Sequence, residues 1–151
     1  MSKYKIEITD YSKIDKDTKI VFVVSEFNRN YTKALEDINE KYLIENWFKK
    51  IKKCLVPWAF EIPAMIKLIL KKSKPDLIIA LWAVIRWETT HYEMVAWESA
   101  RWIMDLSIKY SEETAMINGI LTCENEEQVK ARISNSYAIS WLKLLVERDK
   151  I

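Results

Sequence analysis

The sequence predicts an α/β protein, a three-layer α/β/α sandwich around a four-stranded parallel sheet. Segments with strand character alternate along the chain with segments of helical spacing. The strand segments are continuous apolar runs, which is typical of parallel strands that helices cover on both faces. The chain has 151 residues, enough for one domain, and carries no repeat or long linker. We therefore expect a single domain over residues 1–151, with residues 1–18 as an N-terminal arm.

Four segments are predicted to form the strands of the sheet. They are KIVFVVS (19–25), IKKCLV (51–56), DLIIAL (76–81) and AMINGIL (115–121). A shorter segment, YKIEI at 4–8, predicts an additional N-terminal strand. Because a lone strand at an edge leaves its main-chain groups unpaired, we expect it to pair with the sheet of its own or a neighbouring subunit.

Five helices are predicted between and after these strands. The second has Pro63 in its first turn, where the missing N–H costs nothing. The third is long, over 91–110, and its predicted inner stripe consists of Ala96, Ala100, Ile103, Ser107 and Tyr110. A short acidic helix near 124–132 and a last helix around Trp141 complete the chain.

The charge balance and the cysteines exclude several classes of function. Lysine and arginine number 24 against 22 acidic residues, so neither nucleic acid nor an anionic membrane is an expected partner. The longest apolar run, Leu77–Ile85, is too short to span a bilayer. Cys54 and Cys123 lack CxxC spacing, and no ligand cluster predicts a metal. We expect a cytoplasmic protein with reduced thiols and without a metal or cofactor.

The unusual residues lie where the predicted strands end, at the sheet edge where ligands bind in such folds. The segments there read SEFN (25–28), VPWAFEIP (56–63), ALWAVIRWETTHYEMV (80–95) and NGILT (118–122). In this order and spacing they resemble the lumazine synthase family, whose pattern is SRFN, VPGAFEIP, ALGAVIRGETxHxxxV and xGVLT. The resemblance extends from about Lys19 to Val146 and implies a flavodoxin-like sheet.

The resemblance implies a transferase of riboflavin biosynthesis. Its reaction condenses 5-amino-6-ribitylaminouracil with 3,4-dihydroxy-2-butanone 4-phosphate to 6,7-dimethyl-8-ribityllumazine. His91 is the only histidine of the chain. A lone histidine is more often a surface or core residue, but histidine changes its charge near neutral pH and can move protons there. Within RWETTH the resemblance implies that His91 is the catalytic proton-transfer residue.

The resemblance also implies two sets of binding residues. The ring of Phe27 would stack on the pyrimidine, and Glu61 would accept hydrogen bonds from the ribityl hydroxyls, although core packing and helix capping are the ordinary roles of such residues. The pyrimidine and ribityl set is Phe27, Ala59, Phe60, Glu61, Ile62, Val84, Ile85 and Asn118, with Asn118 reaching into the site of the adjacent subunit. No role is implied for Arg86, which we interpret as structural.

A second set would bind the phosphate of the butanone substrate. The turn Trp87, Glu88 and Thr89 precedes the long helix, whose first N–H groups attract anions. Arg132 follows EEQVKA and offers a guanidinium that binds phosphate in a bidentate manner. The family usually continues with a lysine–glycine pair, whereas this chain has SNSY at 134–137.

Two other classes of function remain open from the residues. One is a non-catalytic shell protein that binds lumazine or flavin in the same pocket. The other is a flavodoxin-like nucleotide-binding module, which the absence of a Gly-, Ser- or Thr-rich loop after the first strand disfavours. The resemblance further implies small-molecule substrates, a homopentamer that either stands alone or assembles into an icosahedral shell of 60 subunits, and riboflavin synthase as a partner.

The tryptophan and glycine counts are abnormal. Average usage predicts about ten glycines, but the chain has one glycine and seven tryptophans. Six tryptophans stand where the family carries glycine: Trp47, Trp58, Trp82, Trp87, Trp97 and Trp102. Overpacking costs about 1–3 kcal/mol per site, so six such replacements would exceed the roughly 5–15 kcal/mol stability of a domain. The pattern indicates a gene in which UGA encodes glycine, translated as if UGA meant tryptophan, with deliberate engineering as the alternative.

We predict that the protein from its own source carries glycine at these six positions. Mass spectrometry of the peptide that covers 80–88 measures this directly, since it contains positions 82 and 87. Intact tryptophan at both positions would contradict the decoding hypothesis.

Overall fold

Four parallel strands form one sheet in the order β2–β1–β3–β4. The strands are β1 (Ile20–Ser25), β2 (Ile51–Val56), β3 (Leu77–Ile85) and β4 (Ala115–Cys123). All three neighbouring pairs are parallel. The computed structural model describes residues 10–148 and 150–151. The predicted N-terminal strand at 4–8 lies outside the described residues.

Helices cover both faces of this sheet. They are α1 (Arg29–Glu45), α2 (Glu61–Ser73), α3 (His91–Lys109), α4 (Glu126–Lys130) and α5 (Ser136–Arg148). One apolar cluster lies between the sheet and α1, α4 and α5, and a second lies between the sheet and α2 and α3. The predicted three-layer α/β/α sandwich is therefore confirmed. Among the described residues, no helix combines the length and the apolar character that crossing a membrane requires.

The strand β1 shows why its residues form a continuous apolar run. Every residue of β1 is buried. Ile20, Phe22 and Val24 belong to the cluster under α1 and α5, whereas Val21 and Val23 belong to the cluster under α2 and α3. Because successive strand residues point to opposite faces, a strand with helices on both sides has no polar face.

The part of the predicted N-terminal arm that the structure describes packs against the body of the protein. Tyr11 and Ile14 are buried in the cluster under α1 and α5. Thr18 donates a hydrogen bond from its hydroxyl to the main-chain oxygen of Asp15 (2.5 Å). Residues 10–18 thus contribute apolar side chains to the core, although their composition is polar.

The buried stripe of α3 differs from the predicted one. The buried residues are Val95, Ala96, Ser99, Ile103 and Leu106, so only Ala96 and Ile103 are shared with the prediction. The helix packs against β4 and also against α2. Because of the contact with α2, the buried face of α3 includes Val95, Ser99 and Leu106. Sequence periodicity alone does not report on that neighbour.

The tryptophans at family glycine positions do not overpack the protomer, contrary to expectation. Five of the six have exposed fractions between 50% and 78%, and Trp82 alone is buried, at 4%. The indole N–H of Trp82 has no hydrogen-bond partner among the described residues. A buried donor without a partner costs about 1–3 kcal/mol. Within one protomer, the cost of burying a tryptophan at these six positions is therefore confined to Trp82.

Trp47 occupies a backbone conformation that glycine favours. Its φ is 73°, in the left-handed region. It follows Asn46, the C-cap of α1. The N–H of Phe48 donates to the main-chain oxygen of Leu43 (3.0 Å), and the N–H of Trp47 donates to that of Ile44 (2.9 Å). This is the Schellman arrangement, in which the left-handed residue is usually glycine.

Replacing Trp47 with glycine should therefore stabilise the fold. We expect Trp47→Gly to raise the free energy of unfolding by about 1 kcal/mol relative to Trp47→Ala, because alanine retains the Cβ that strains a left-handed residue. The indole is 71% exposed, so both variants lose little packing. Denaturant unfolding compares the two. Equal stability of the glycine and alanine variants would contradict the inference that a Cβ is strained in the left-handed backbone conformation at this position.

Candidate active site

The carboxyl ends of three strands meet at one edge of the sheet. Ser25 at the end of β1 lies opposite Val56 at the end of β2. The loops that follow β1, β2 and β3 surround a cavity of about 610 Å³. Its lining residues are Phe27, Asn28, Trp58, Phe60, Glu61, Trp82, Val84, Ile85, Trp87, Thr89, His91, Tyr92, Val95 and Glu126. Eight of the thirteen residues predicted for the site are among them.

The loop after β1 holds Phe27 at the cavity. The main-chain N–H of Phe27 donates to the hydroxyl of Ser25 and to the main-chain oxygen of Pro57, both at 3.1 Å. The rings of Phe27 and Trp58 are stacked, with centroids 4.5 Å apart and planes inclined by 27°. Both rings are about half exposed. An aromatic face is thus present where a planar ligand would stack.

Asn28 secures this loop against the neighbouring strand. Its φ of 56° places it in the left-handed region. The side-chain amide donates to the main-chain oxygen of Ala83 in β3 (2.8 Å). Asparagine tolerates this backbone conformation better than most residues. This cross-strand hydrogen bond keeps the Phe27 loop on the β3 side of the cavity.

Glu61 stands at the first residue of α2, where one carboxylate oxygen is already used. Oε2 accepts a hydrogen bond from the main-chain N–H of Trp58 (2.9 Å). The carboxylate therefore stabilises the turn that begins the helix and also lines the cavity. Ala59 and Ile62 are completely buried beneath this turn and do not line the cavity. They support the wall formed by Phe60 and Glu61.

His91 is the first residue of α3, at the cavity. Its side chain is exposed and lines the cavity together with Thr89 and Trp87. The main-chain N–H of His91 donates to the hydroxyl of Thr89 (3.3 Å). The N-cap of the helix, Thr90, forms no side-chain capping hydrogen bond. Since the first N–H groups of a helix have no acceptor within it, this end of α3 remains available to an anion.

The floor of the cavity comes from the end of β3. Val84 is buried, and Ile85 is half-buried. The indole of Trp82 also lies here. Glu88, in the turn before α3, is exposed and does not line the cavity. Of the site residues predicted at the end of β3 and in this turn, all except Glu88 therefore line the cavity.

Two predicted residues lie outside this cavity. Asn118 lines a separate groove of about 490 Å³ between α3 and β4, and Tyr92 borders both spaces. Arg132 lies after α4, where its guanidinium donates to the main-chain oxygen of Gln128 (2.9 Å). Its positive charge opposes the effect of burial on the pKa of Tyr137, which is nevertheless raised to about 12. Within one protomer, neither residue lines the cavity that His91 lines.

The ionisable side chains that line the cavity include the carboxylates of Glu61 and Glu126 and the imidazole of His91. None of the described residues that line it is a lysine or an arginine. Glu126, at the start of α4, accepts a hydrogen bond from the hydroxyl of Tyr31 (2.5 Å). This hydrogen bond lowers the pKa of Glu126, and it raises the pKa of Tyr31. A lysine or arginine that contacts a phosphate here would therefore have to come from outside the cavity lining.

Sequence reasoning missed several residues that line the cavity. Asn28 belongs to the SEFN segment and Tyr92 follows the catalytic candidate directly, so the motifs could have indicated both. Val95 lies one helical turn beyond His91. Glu126 had no local signal, because its position depends on contact with the distant Tyr31.

One cluster of potential metal ligands is found among the described residues. It consists of Glu36, Asp37 and Glu40 on α1, away from the cavity. Glu36 is buried and pairs with Arg29 at 2.7 Å and with Lys53 at 3.1 Å. These two cations already balance the buried carboxylate, so the cluster is explained as a structural ion-pair network.

Comparison with known proteins gives consistent matches. A family model described as 6,7-dimethyl-8-ribityllumazine synthase matches residues 17–147. A protein of that name from Methylobacillus flagellatus is 38% identical over 121 residues, which cover 79% of this chain and 80% of the relative. One from Archaeoglobus fulgidus is 36% identical over 137 residues, 87% of this chain and 94% of the relative. One from Methylobacterium radiotolerans is 49% identical over 77 residues, which span 51% of this chain and only 46% of that relative.

The fold and the cavity define a parallel α/β protein, covered by helices on both faces, with a cavity at the carboxyl edge of its sheet, where ligands bind in such folds. The family match covers most of the chain. The chain belongs to the 6,7-dimethyl-8-ribityllumazine synthase family.

Proposed function

We propose that the chain catalyses the lumazine-forming step of riboflavin biosynthesis. It condenses 5-amino-6-ribitylaminouracil with 3,4-dihydroxy-2-butanone 4-phosphate and releases 6,7-dimethyl-8-ribityllumazine, phosphate and water. Family membership supports the reaction. The observation that carries it to this site is that Phe27 after β1, Glu61 at the start of α2 and His91 at the start of α3 line one cavity at the carboxyl edge of the sheet.

The aromatic side of the cavity suits the pyrimidine substrate. The ring of Phe27 is half-exposed and available to stack on a planar heterocycle. The main chain of Val84 and Ile85 would bind the edge of the pyrimidine. Phe60 and the free oxygen of Glu61 would contact the ribityl chain, while the buried Ala59 and Ile62 fix the shape of that wall.

The turn before α3 suits the phosphate of the second substrate. The uncapped N-terminus of α3 follows the turn Trp87, Glu88 and Thr89. A phosphate at this place would accept hydrogen bonds from main-chain N–H groups, and the helix dipole would stabilise its charge. Trp87 lines the cavity next to Thr89. Its indole narrows the space in which the phosphate approaches the turn, and a glycine would not.

His91 is placed to move the protons of the reaction. Formation of a Schiff base between the amine and the ketone, elimination of phosphate and ring closure all require proton transfers. The imidazole lines the cavity together with Trp87 and Thr89 of the proposed phosphate turn, where it would be close to both the amine and the departing phosphate. Holding two substrates in reactive geometry supplies up to about 7–11 kcal/mol of barrier lowering. Orientation therefore carries more of the catalysis than proton transfer.

The complete site is formed between two copies of the chain. The cavity contains no cation of its own among the described residues, and Arg132 and Asn118 lie outside it. A neighbouring subunit would bring its own Arg132 and Asn118 to the cavity, where the guanidinium would bind the phosphate. A site shared in this way requires an oligomer, and the family resemblance makes a homopentamer, alone or in a 60-subunit shell, the proposed form. Riboflavin synthase, which would use the product, is the proposed partner, and the cytoplasm is the proposed location.

The proposal is tested by product formation with two variants. The protein with glycine at the six tryptophan positions serves as the parent, because Trp58, Trp82 and Trp87 all line the cavity. We expect His91→Ala to lower kcat by around tenfold with little change in KM, since general acid–base catalysis contributes more but water partly replaces the imidazole. Arg132→Ala should raise KM for the butanone phosphate, because it removes a contact present from the moment of binding.

Two outcomes would count against this assignment. A parent that binds the lumazine but forms none would support the non-catalytic shell protein instead. Unchanged affinity for the phosphate substrate in Arg132→Ala would remove Arg132 from the site and would make Lys130 or Lys143 the next candidates.

Mixed assemblies test whether a site is shared between subunits. When His91→Ala and Arg132→Ala subunits are co-assembled in equal amounts, roughly a quarter of the boundaries combine an intact His91 with an intact Arg132 of the neighbour. We expect the mixture to be more active, at low butanone phosphate, than the mean of the two separate variants. Activity equal to that mean, or a fully active monomer in sedimentation, would show that each site belongs to one chain.

A further inference from the structure

The segment between β3 and α3 has few main-chain anchors. Residues 86–91 are all exposed. Their main-chain hydrogen bonds include that from the N–H of Arg86 to the oxygen of Cys123 (2.9 Å) and that from the N–H of His91 to the hydroxyl of Thr89. The proposed function requires this segment to hold both the phosphate turn and His91 in place. Side-chain contacts are therefore the further means by which this segment can be held.

The guanidinium of Arg86 contacts three elements at once. Its Nη1 donates to Oε1 of Glu93 in the first turn of α3. Its Nε donates to Oε2 of Glu124, just after β4, at 2.7 Å. The guanidinium carbon also lies 4.4 Å from the centroid of the Tyr92 ring. These contacts tie the end of β3 to the start of α3 and to the end of β4.

The Glu93 carboxylate depends on this contact. Its second oxygen is buried and has no hydrogen-bond partner among the described residues. Hydrogen bonding from Arg86 lowers the pKa of Glu93, and hydrogen bonding to Glu93 raises the pKa of Arg86. Without Arg86 the Glu93 carboxylate would lose this partner, and the first turn of α3 would lose its side-chain link to the end of β3.

The geometry of this contact is more informative than its strength. The side chain of Arg86 is 39% exposed, and exposed ion pairs contribute little to global stability. A planar guanidinium, however, presents donors in fixed directions, so it can hold two carboxylates and a ring face together. The two residues of α3 that Arg86 contacts, Tyr92 and Glu93, directly follow His91.

We propose that Arg86 is a positioning residue that fixes the first turn of α3, and with it the imidazole of His91 and the phosphate turn, through its forked contacts with Glu93 and Glu124. This proposal rests on the proposed function for its kinetic consequence, but not for its structural one. Arg86 touches neither substrate. It acts through the backbone that carries the catalytic residue.

The lone histidine makes the structural consequence directly measurable. In protein labelled with ¹³C-histidine, all ring signals come from His91. We expect Arg86→Ala to shift and broaden these signals, because the turn then samples several orientations. Lys33→Ala is the matched control, since it removes an exposed ion pair with Asp37 on α1, away from the cavity. The control should leave the His91 signals unchanged. This readout holds whether or not the parent forms lumazine.

Kinetics with the glycine-restored parent provide the second readout. We expect Arg86→Ala to lower kcat by about tenfold or more and to raise KM for the butanone phosphate, because small misplacements of reacting groups cost up to about a hundredfold. Arg86→Lys keeps the charge but loses the fork, so it should restore less than half of the loss. Glu124→Gln, which leaves Arg86 in place, should show a smaller effect in the same direction.

The outcomes separate the two proposals. Unchanged His91 signals in both Arg86 variants, or full recovery of kcat in Arg86→Lys, would overturn the positioning role. Shifted His91 signals in a parent that forms no lumazine would leave the positioning role standing and remove the proposed function. If Arg86→Ala does not fold, Arg86→Lys and Glu124→Gln carry the same test.

Discussion

The pairing of β1 with both β2 and β3 is the constraint on which the site depends. Val24 lies opposite Leu81, and Ser25 lies opposite Val56, so three strands end at one edge. The loops that follow therefore open into the same cavity and bring Phe27, Glu61 and His91 together from distant parts of the chain. Burial on both faces locks this register, because a slip of one residue would exchange every side chain between the two clusters.

Positive charge near this cavity is either already paired or directed elsewhere. The guanidinium of Arg86 is occupied by Glu93 and Glu124. Arg132, which follows α4, donates to the main-chain oxygen of Gln128 within that helix. The groups that face the cavity include the Glu61 and Glu126 carboxylates and one imidazole. In the proposed function, these groups orient substrates and move protons, and a second copy would contribute the cation for an anionic substrate. The lack of a lysine or arginine in the described lining of the cavity is therefore also the reason for proposing a shared site.

The glycine and tryptophan positions show where backbone geometry restricts residue type. A Cβ on Gly119 would lie 2.7 Å from a side-chain carbon of Leu81 and 2.8 Å from the main-chain oxygen of Ala80, so β4 needs glycine to pair closely with β3. Trp47 has the positive φ that glycine adopts without strain. At Trp87 the restriction concerns the ligand, because the indole stands at the proposed phosphate turn. Only the first two of these restrictions act within an isolated protomer.

Local patterns in the chain were sufficient to predict the layers, the strand β2 and most of the cavity, because hydrophobic periodicity and strand-end motifs are properties of neighbouring residues. Contacts between distant residues decided the rest. The strand β3 continues to Ile85 because β4 pairs with it as far as Cys123. The buried stripe of α3 depends on its contact with α2. Glu126 lines the cavity and is hydrogen-bonded to the distant Tyr31. Asn118 and Arg132 lie outside the cavity. No local pattern carries this information, since each outcome depends on which surface folds against which.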